Sequence, residues 1–92
     1  MFIDAHCHLE RGYYGDGVDD VVARALARGL THFIAVGASG VTAGAEEAVA
    51  LATRLPQVFA SVGIHPHEAG AADGAAMQTI ARLLGAPRVV SL

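Results

Sequence analysis

The chain has no lysine; its six cations are all arginine, scattered at Arg11, Arg24, Arg28, Arg54, Arg82 and Arg88. Its formal net charge is −3, so there is no basic patch with which to neutralise a row of phosphates. This excludes a nucleic-acid clamp built on charge, and tight binding to long duplex DNA is not expected. A single cysteine, Cys7, excludes an internal disulfide and gives no reason to invoke an oxidising compartment. No apolar run approaches the roughly 18 residues of a membrane span. The opening Met1-Phe2-Ile3-Asp4 lacks a basic stretch and meets a carboxylate at once, so no signal peptide is expected and the chain reads as cytoplasmic. Charged residues make up only 16% against 53% apolar, which rules out a disordered tail. At 92 residues, at most one small core can form. Linkers and low-complexity segments are missing as well; the alanine-rich stretch 43–52 is simply good helix former.

One theme repeats: an apolar run, a loop bearing glycine or histidine, then a helical pattern. Phe2-Ile3 opens a short strand that runs into Asp4-Ala5-His6-Cys7-His8. A glycine-rich loop holds Tyr13 and Tyr14, and Asp19 or Asp20 is placed to cap a helix with Val18, Val22, Ala25 and Leu26 at helical spacing. Gly29 is placed to stop it. The run from Leu30 to Val36 is near-continuously apolar at its end, as strands covered on both faces are. Thr42 is the expected cap of a second helix, with Ala45, Ala48, Val49, Ala52 and Leu55 on one face and Pro56 ending it. Val58 to Ile64 is the third strand. Asp73 caps a third helix, with Met77, Ile80, Ala81 and Leu84 as its apolar face, and Arg88-Val89-Val90-Ser91-Leu92 begins a fourth strand. Strands alternating with helices imply an α/β fold with a parallel sheet.

Two segments carry chemistry. His6 and His8 alternate along a strand, so both imidazoles can face one point in space, as the first pair of ligands to a metal must. Two surface histidines at a strand end is the plain alternative; the position at the end of the first strand of a β/α repeat favours metal. Asp4 falls on the same side, where it can orient an imidazole from behind. Cys7 faces away and reads as a small buried hydrophobe. Gly63-Ile64-His65-Pro66-His67 also follows a parallel strand, the end at which such sheets place their sites. His65 leaves the strand with little freedom; for His67, a site residue and a solvent-facing loop histidine stand equal. His32, at the start of its strand, reads as structural. The glycine-rich turn 37–40 precedes a helix but matches no phosphate-binding fingerprint. Tyr13 and Tyr14 are expected to pack within their loop rather than against a substrate.

Taken together, Phe2-Ile3-Asp4-Ala5-His6-Cys7-His8-Leu9 and Val62-Gly63-Ile64-His65-Pro66-His67-Glu68-Ala69 resemble two signatures of the TatD-like metal-dependent hydrolases. The second is the more specific, since His-x-His also occurs in other amidohydrolases. The resemblance covers all 92 residues. It implies the N-terminal part, β-α-β-α-β-α-β, of a TIM (β/α)8 barrel with a divalent-metal centre at the strand ends. It further implies hydrolysis of phosphodiester bonds in nucleotides or single-stranded DNA ends by a water activated at one or two ions of Mg, Mn or Zn. His6 and His8 would bind metal, and His65 with His67 would contact substrate.

A complete barrel takes about 250 residues, so residues 1–92 are expected to be a single incomplete domain. The remaining ligands and the acid or base that takes the proton are expected beyond Leu92, and no catalytic acid or base stands out within the chain. Two rival readings remain: another amidohydrolase acting on an amide or ester, and a truncated, non-catalytic relative. Alone, these residues are expected to be inactive and to self-associate.

Overall fold

A computed structural model describes residues 1–37 and 39–92. Strand β1 (Phe2–Cys7) leads into a one-turn helix α1 (Arg11–Tyr14) and a 3-10 turn (Gly15–Gly17), followed by α2 (Val18–Ala27) and β2 (Leu30–Val36). Helix α3 (Ala43–Arg54) leads to β3 (Val58–Ser61); a second 3-10 segment (Pro66–Ala71) precedes α4 (Gly74–Leu84) and β4 (Val89–Ser91). The strands form one parallel sheet in the order β1-β2-β3-β4. The α/β alternation read from the sequence is borne out, and the four strands match the beginning of a TIM barrel.

The helices lie on one face of the sheet. Val18 and Val22 of α2, and Ala48, Leu51 and Ala52 of α3, bury against Phe33 and Ala35 of β2 and Val58 and Ala60 of β3. A second cluster joins Ala45 of α3, Val62, and Ile80 and Leu83 of α4. Small residues let α3 approach closely: Ala45, Ala48 and Ala52 are all buried, and a Cβ at Gly37 would overlap the carbonyl of Gly44. Each fully buried valine, such as Val58 and Val62, contributes roughly 1.5–3 kcal/mol. The alternate residues point the other way, where Ile34 and Phe59 are half-buried and Ile3 and Val90 exposed.

Several local expectations need correction. Neither Asp19 nor Asp20 caps α2; the N-cap is Gly17, and both carboxylates lie in the first turn, where the helix dipole favours them. Gly29 does stop this helix, at φ +102°. Thr42 is the N-cap of α3, but its hydroxyl donates to Glu46 Oε1 (3.0 Å) and makes no backbone cap. The buried face of α3 includes Leu51. In α4, Asp73 caps as expected, accepting from the Ala76 amide at 2.8 Å, but the buried face is Ala76, Ile80 and Leu83. Met77, Ala81 and Leu84 are exposed, because four small or apolar side chains in a row leave the rotation of the helix open to either stripe. Strand β3 ends at Ser61, earlier than Ile64, although Val62 still donates to the Ser91 carbonyl (3.1 Å). The loop of Tyr13 and Tyr14 is helical, and both rings stay exposed.

Candidate metal and substrate site

Parallel pairing brings the C-terminal ends of β1, β2 and β3 side by side. His6 is the penultimate residue of β1 and His8 follows the strand. Their rings meet edge to face, with centroids 5.2 Å apart. The register of β1 against β2 is irregular between Asp4 and Cys7, so the strand is kinked as it delivers the pair.

The His8 ring is held by oxygens. Its Nδ1 lies 3.0 Å from the Val36 carbonyl and 3.6 Å from Glu10 Oε1. A carbonyl can only accept, so Nδ1 carries a proton, and in the neutral ring Nε2 then keeps a free lone pair. His6 is exposed, and its backbone amide donates to Asp4 Oδ1 at 3.1 Å. Asp4 thus braces the His6 backbone, and among the described residues its carboxylate bonds neither imidazole.

His6 also lines a cleft of about 340 Å³ with Val36, Gly37, Ser61, Gly63 and His65. Here His65 Nδ1 accepts from the His67 amide at 3.1 Å, and the two rings meet at a tilt of 57° with centroids 4.6 Å apart. The neutral His65 ring therefore carries its proton on Nε2, as a donor. His8 offers a lone pair and His65 a hydrogen, which suits them to different tasks. His67 is exposed on the turn.

Among the described residues, no group of three or more His, Cys, Asp or Glu side chains comes together to hold a metal. The His6–His8 pair nevertheless fits a divalent ion as two of its donors, because the rings adjoin and the His8 Nε2 is left bare. Cys7 is no candidate: burial, and after it the Asp4 charge, push its thiol up to about 11. Its Sγ donates to the Ile34 carbonyl at 3.4 Å. His32 stands at the other end of the sheet, its Nδ1 3.0 Å from Thr31 Oγ1 and its ring 6.0 Å from that of Phe59. The turn 37–40 approaches α3 closely at Gly37; Ala38, part of the phosphate-cradle reading of this turn, lies outside the described residues.

Glu10 is the site residue that sequence reasoning missed. It is only 2% exposed, yet it is a carboxylate. Its Oε2 accepts from the Ser39 amide at 2.9 Å while Oε1 faces His8. The signal was its place two residues after His8, just beyond the apolar Leu9.

The profile of the family described as TatD related DNase matches residues 3–92. A "3'-5' ssDNA/RNA exonuclease TatD" of Salmonella typhimurium is 30% identical over 89 residues, covering 97% of this chain and 34% of the relative. The protein of the same description from Erwinia billingiae is 35% identical over 90 residues, again 97% of this chain and 34% of the relative. An "Uncharacterized metal-dependent hydrolase TatD" of Mycobacterium tuberculosis is 34% identical over 96 residues, 98% of this chain and 34% of the relative. The chain spans about a third (34%) of the length of these curated relatives. With two histidine-bearing strand ends on one parallel sheet and a profile match along nearly its whole length, the chain belongs to the TatD related DNase family.

Proposed function

We propose that this chain supplies the first strands of a metal-dependent phosphodiesterase, a nuclease trimming single-stranded DNA or RNA from its ends. The observation that carries the reading is the adjoining pair, His6 and His8, with ring centroids 5.2 Å apart at the end of β1. Both relatives described as exonucleases act on single-stranded DNA or RNA, which supports that substrate class. The net charge of −3 speaks against tight binding to long duplex DNA and leaves room for short single-stranded ends held mainly through the metal.

In this reading His6 and His8 hold a divalent ion, of Mg, Mn or Zn. Bound there, the ion would supply Lewis acidity toward water and the phosphoryl oxygen. His65, which lines the same cleft as His6 and has Nδ1 engaged by the His67 amide, donates from Nε2 to a phosphate oxygen of the substrate. His67 fixes the His65 ring through its amide and stands beside the same phosphate. Asp4 stiffens the strand end that carries His6. The group that takes the proton from water is assigned to none of these residues. We also place the protein in the cytoplasm.

The test is degradation of a 5′-labelled single-stranded oligonucleotide by the intact protein with Mg2+ or Mn2+. Progressive shortening from the 3′ end, abolished by a chelator and by His6→Ala, is expected. Intact oligonucleotide alongside metal-dependent cleavage of an ester or amide would overturn the reading in favour of another amidohydrolase. Intact oligonucleotide with no hydrolysis at all would make the protein a non-catalytic relative.

A further inference from the structure

We propose that Glu10 is a positioning residue, whose buried carboxylate fixes the His8 imidazole in the tautomer with the proton on Nδ1 and Nε2 free for metal. The inference rests on the reading of His8 as a metal ligand and adds a residue to it. Glu10 follows β1 at the N-cap of α1, with extended backbone (φ −74°, ψ 148°) that turns its side chain inward. One oxygen lies 3.6 Å from His8 Nδ1 and the other accepts from the Ser39 amide at 2.9 Å. Ser39 stands three residues after Val36, whose carbonyl takes the His8 proton at 3.0 Å. The carboxylate therefore acts twice on one ring. At 3.6 Å it stands beyond hydrogen-bond reach of Nδ1, but its negative charge favours a proton on that nearer nitrogen, and through the Ser39 amide it ties down the chain beyond the carbonyl to which that hydrogen is donated.

A second fastening holds the same turn, since the Arg11 amide donates to Glu47 Oε1 of α3 at 2.6 Å. Burial makes the arrangement exacting. At 2% exposure, water cannot replace a lost partner, so the geometry of the two strand ends and the proton position on His8 are set together. A carboxylate offers two acceptor oxygens and an amide only one. Glu10→Gln must therefore turn an NH2 group either toward the His8 Nδ1–H or toward the Ser39 N–H, and one contact becomes donor against donor. Glu10→Asp keeps both acceptors on a shorter arm. Partners of this kind, placed behind a metal-binding imidazole, typically change metal affinity by about 10- to 100-fold.

The experiment uses the intact protein and two readouts: the His8 tautomer in the metal-free state from imidazole 15N chemical shifts, and the affinity for Zn2+ alone by calorimetry. Expected are an Nδ1–H ring in the wild type and a shift toward Nε2–H in Glu10→Gln. Zn2+ affinity should fall roughly tenfold or more in that variant and be partly recovered in Glu10→Asp. An Nε2–H ring in the wild type would overturn the proposal. So would a Glu10→Gln protein that keeps both the wild-type tautomer and wild-type affinity. If Glu10→Gln fails to fold, Glu10→Asp and the wild-type tautomer decide: a wild-type affinity in Glu10→Asp with an Nε2–H ring overturns it, and a weakened affinity with an Nδ1–H wild-type ring supports it. His8→Ala separates the two claims. Unchanged Zn2+ binding there removes His8 as a ligand, whereas lost binding there with unchanged binding in Glu10→Gln removes only the role of Glu10.

Discussion

In their neutral forms, two histidines at one end of the sheet carry their protons on opposite nitrogens, and in the proposed function that difference gives them different tasks. His8 donates from Nδ1 to Val36 and keeps Nε2 bare; His65 accepts at Nδ1 from His67 and presents Nε2–H. His65→Ala should therefore cut kcat or raise KM at least several-fold more than it lowers bound metal, measured by kinetics beside elemental analysis. Metal lost in parallel with activity would make His65 a ligand. Cys7 gives a pH prediction. Its folded thiol is pushed from the usual 9.0 up to about 11 by burial, so the unfolded chain ionises first. The stabilisation is complete below about pH 9 and is lost as pH rises through about 11, since over that interval the unfolded state binds fewer protons. Denaturant midpoints should fall over that interval in the wild type and stay flatter in Cys7→Ala. The histidine pairs were legible in the sequence because period-two alternation and a Pro-stiffened turn place them without tertiary information. Glu10 was not, because a carboxylate reads as surface until the loop from β2 is seen to close over it.

Among the elements, strands and helices were legible from apolar runs and punctuating residues, whereas helix rotation was not. In α4 the stripes Ala76-Ile80-Leu83 and Met77-Ile80-Ala81-Leu84 share Ile80 and differ by one position, and packing against Val62 and Ala45 chooses between them. Asp73→Ala should cost about 1 kcal/mol through loss of the cap, read by thermal or denaturant unfolding. Gly37 is where β2 turns toward α3, against the Gly44 carbonyl and the Ala45 backbone. Gly37→Ala should cost about 1–3 kcal/mol, because backbone rather than a movable side chain stands in the way. Arg88 was read as the first residue of the last strand; the strand begins at Val89, and Arg88 holds a left-handed backbone at φ +71°. Its guanidinium donates to the Val58 carbonyl (2.9 Å) and to that of Pro56, and lies 4.4 Å from the Phe59 ring centroid. Arg88→Ala loses those contacts and keeps the strained φ, while Arg88→Gly loses them and relieves it. The glycine variant should be the more stable of the two; the opposite order would show that φ +71° costs little here.

At the scale of the molecule, the helices cover one face of the sheet and leave β1 and β4 each with a single neighbour. Phe2, Ile3, Val90 and Leu92 are exposed at or near those edges, at 68%, 57%, 52% and 77%. Unpaired parallel edges flanked by apolar side chains recruit further chains. The 92-residue chain on its own should therefore be associated by light scattering, and Val90→Lys should shift it toward monomer; a monomer with a cooperative thermal transition would contradict this. Fold class was legible at this scale from alternation alone, whereas the open face was not, because apolar strands read the same whether covered on one side or two. In the proposed function, His6 and His8 together bind the ion on which hydrolysis depends. Elemental analysis of the purified intact protein beside His6→Ala, His8→Ala and His32→Ala tests this. Bound divalent metal should fall by at least roughly tenfold in either of the first two and stay within a few-fold in His32→Ala. Wild-type metal content in His6→Ala and His8→Ala would contradict it.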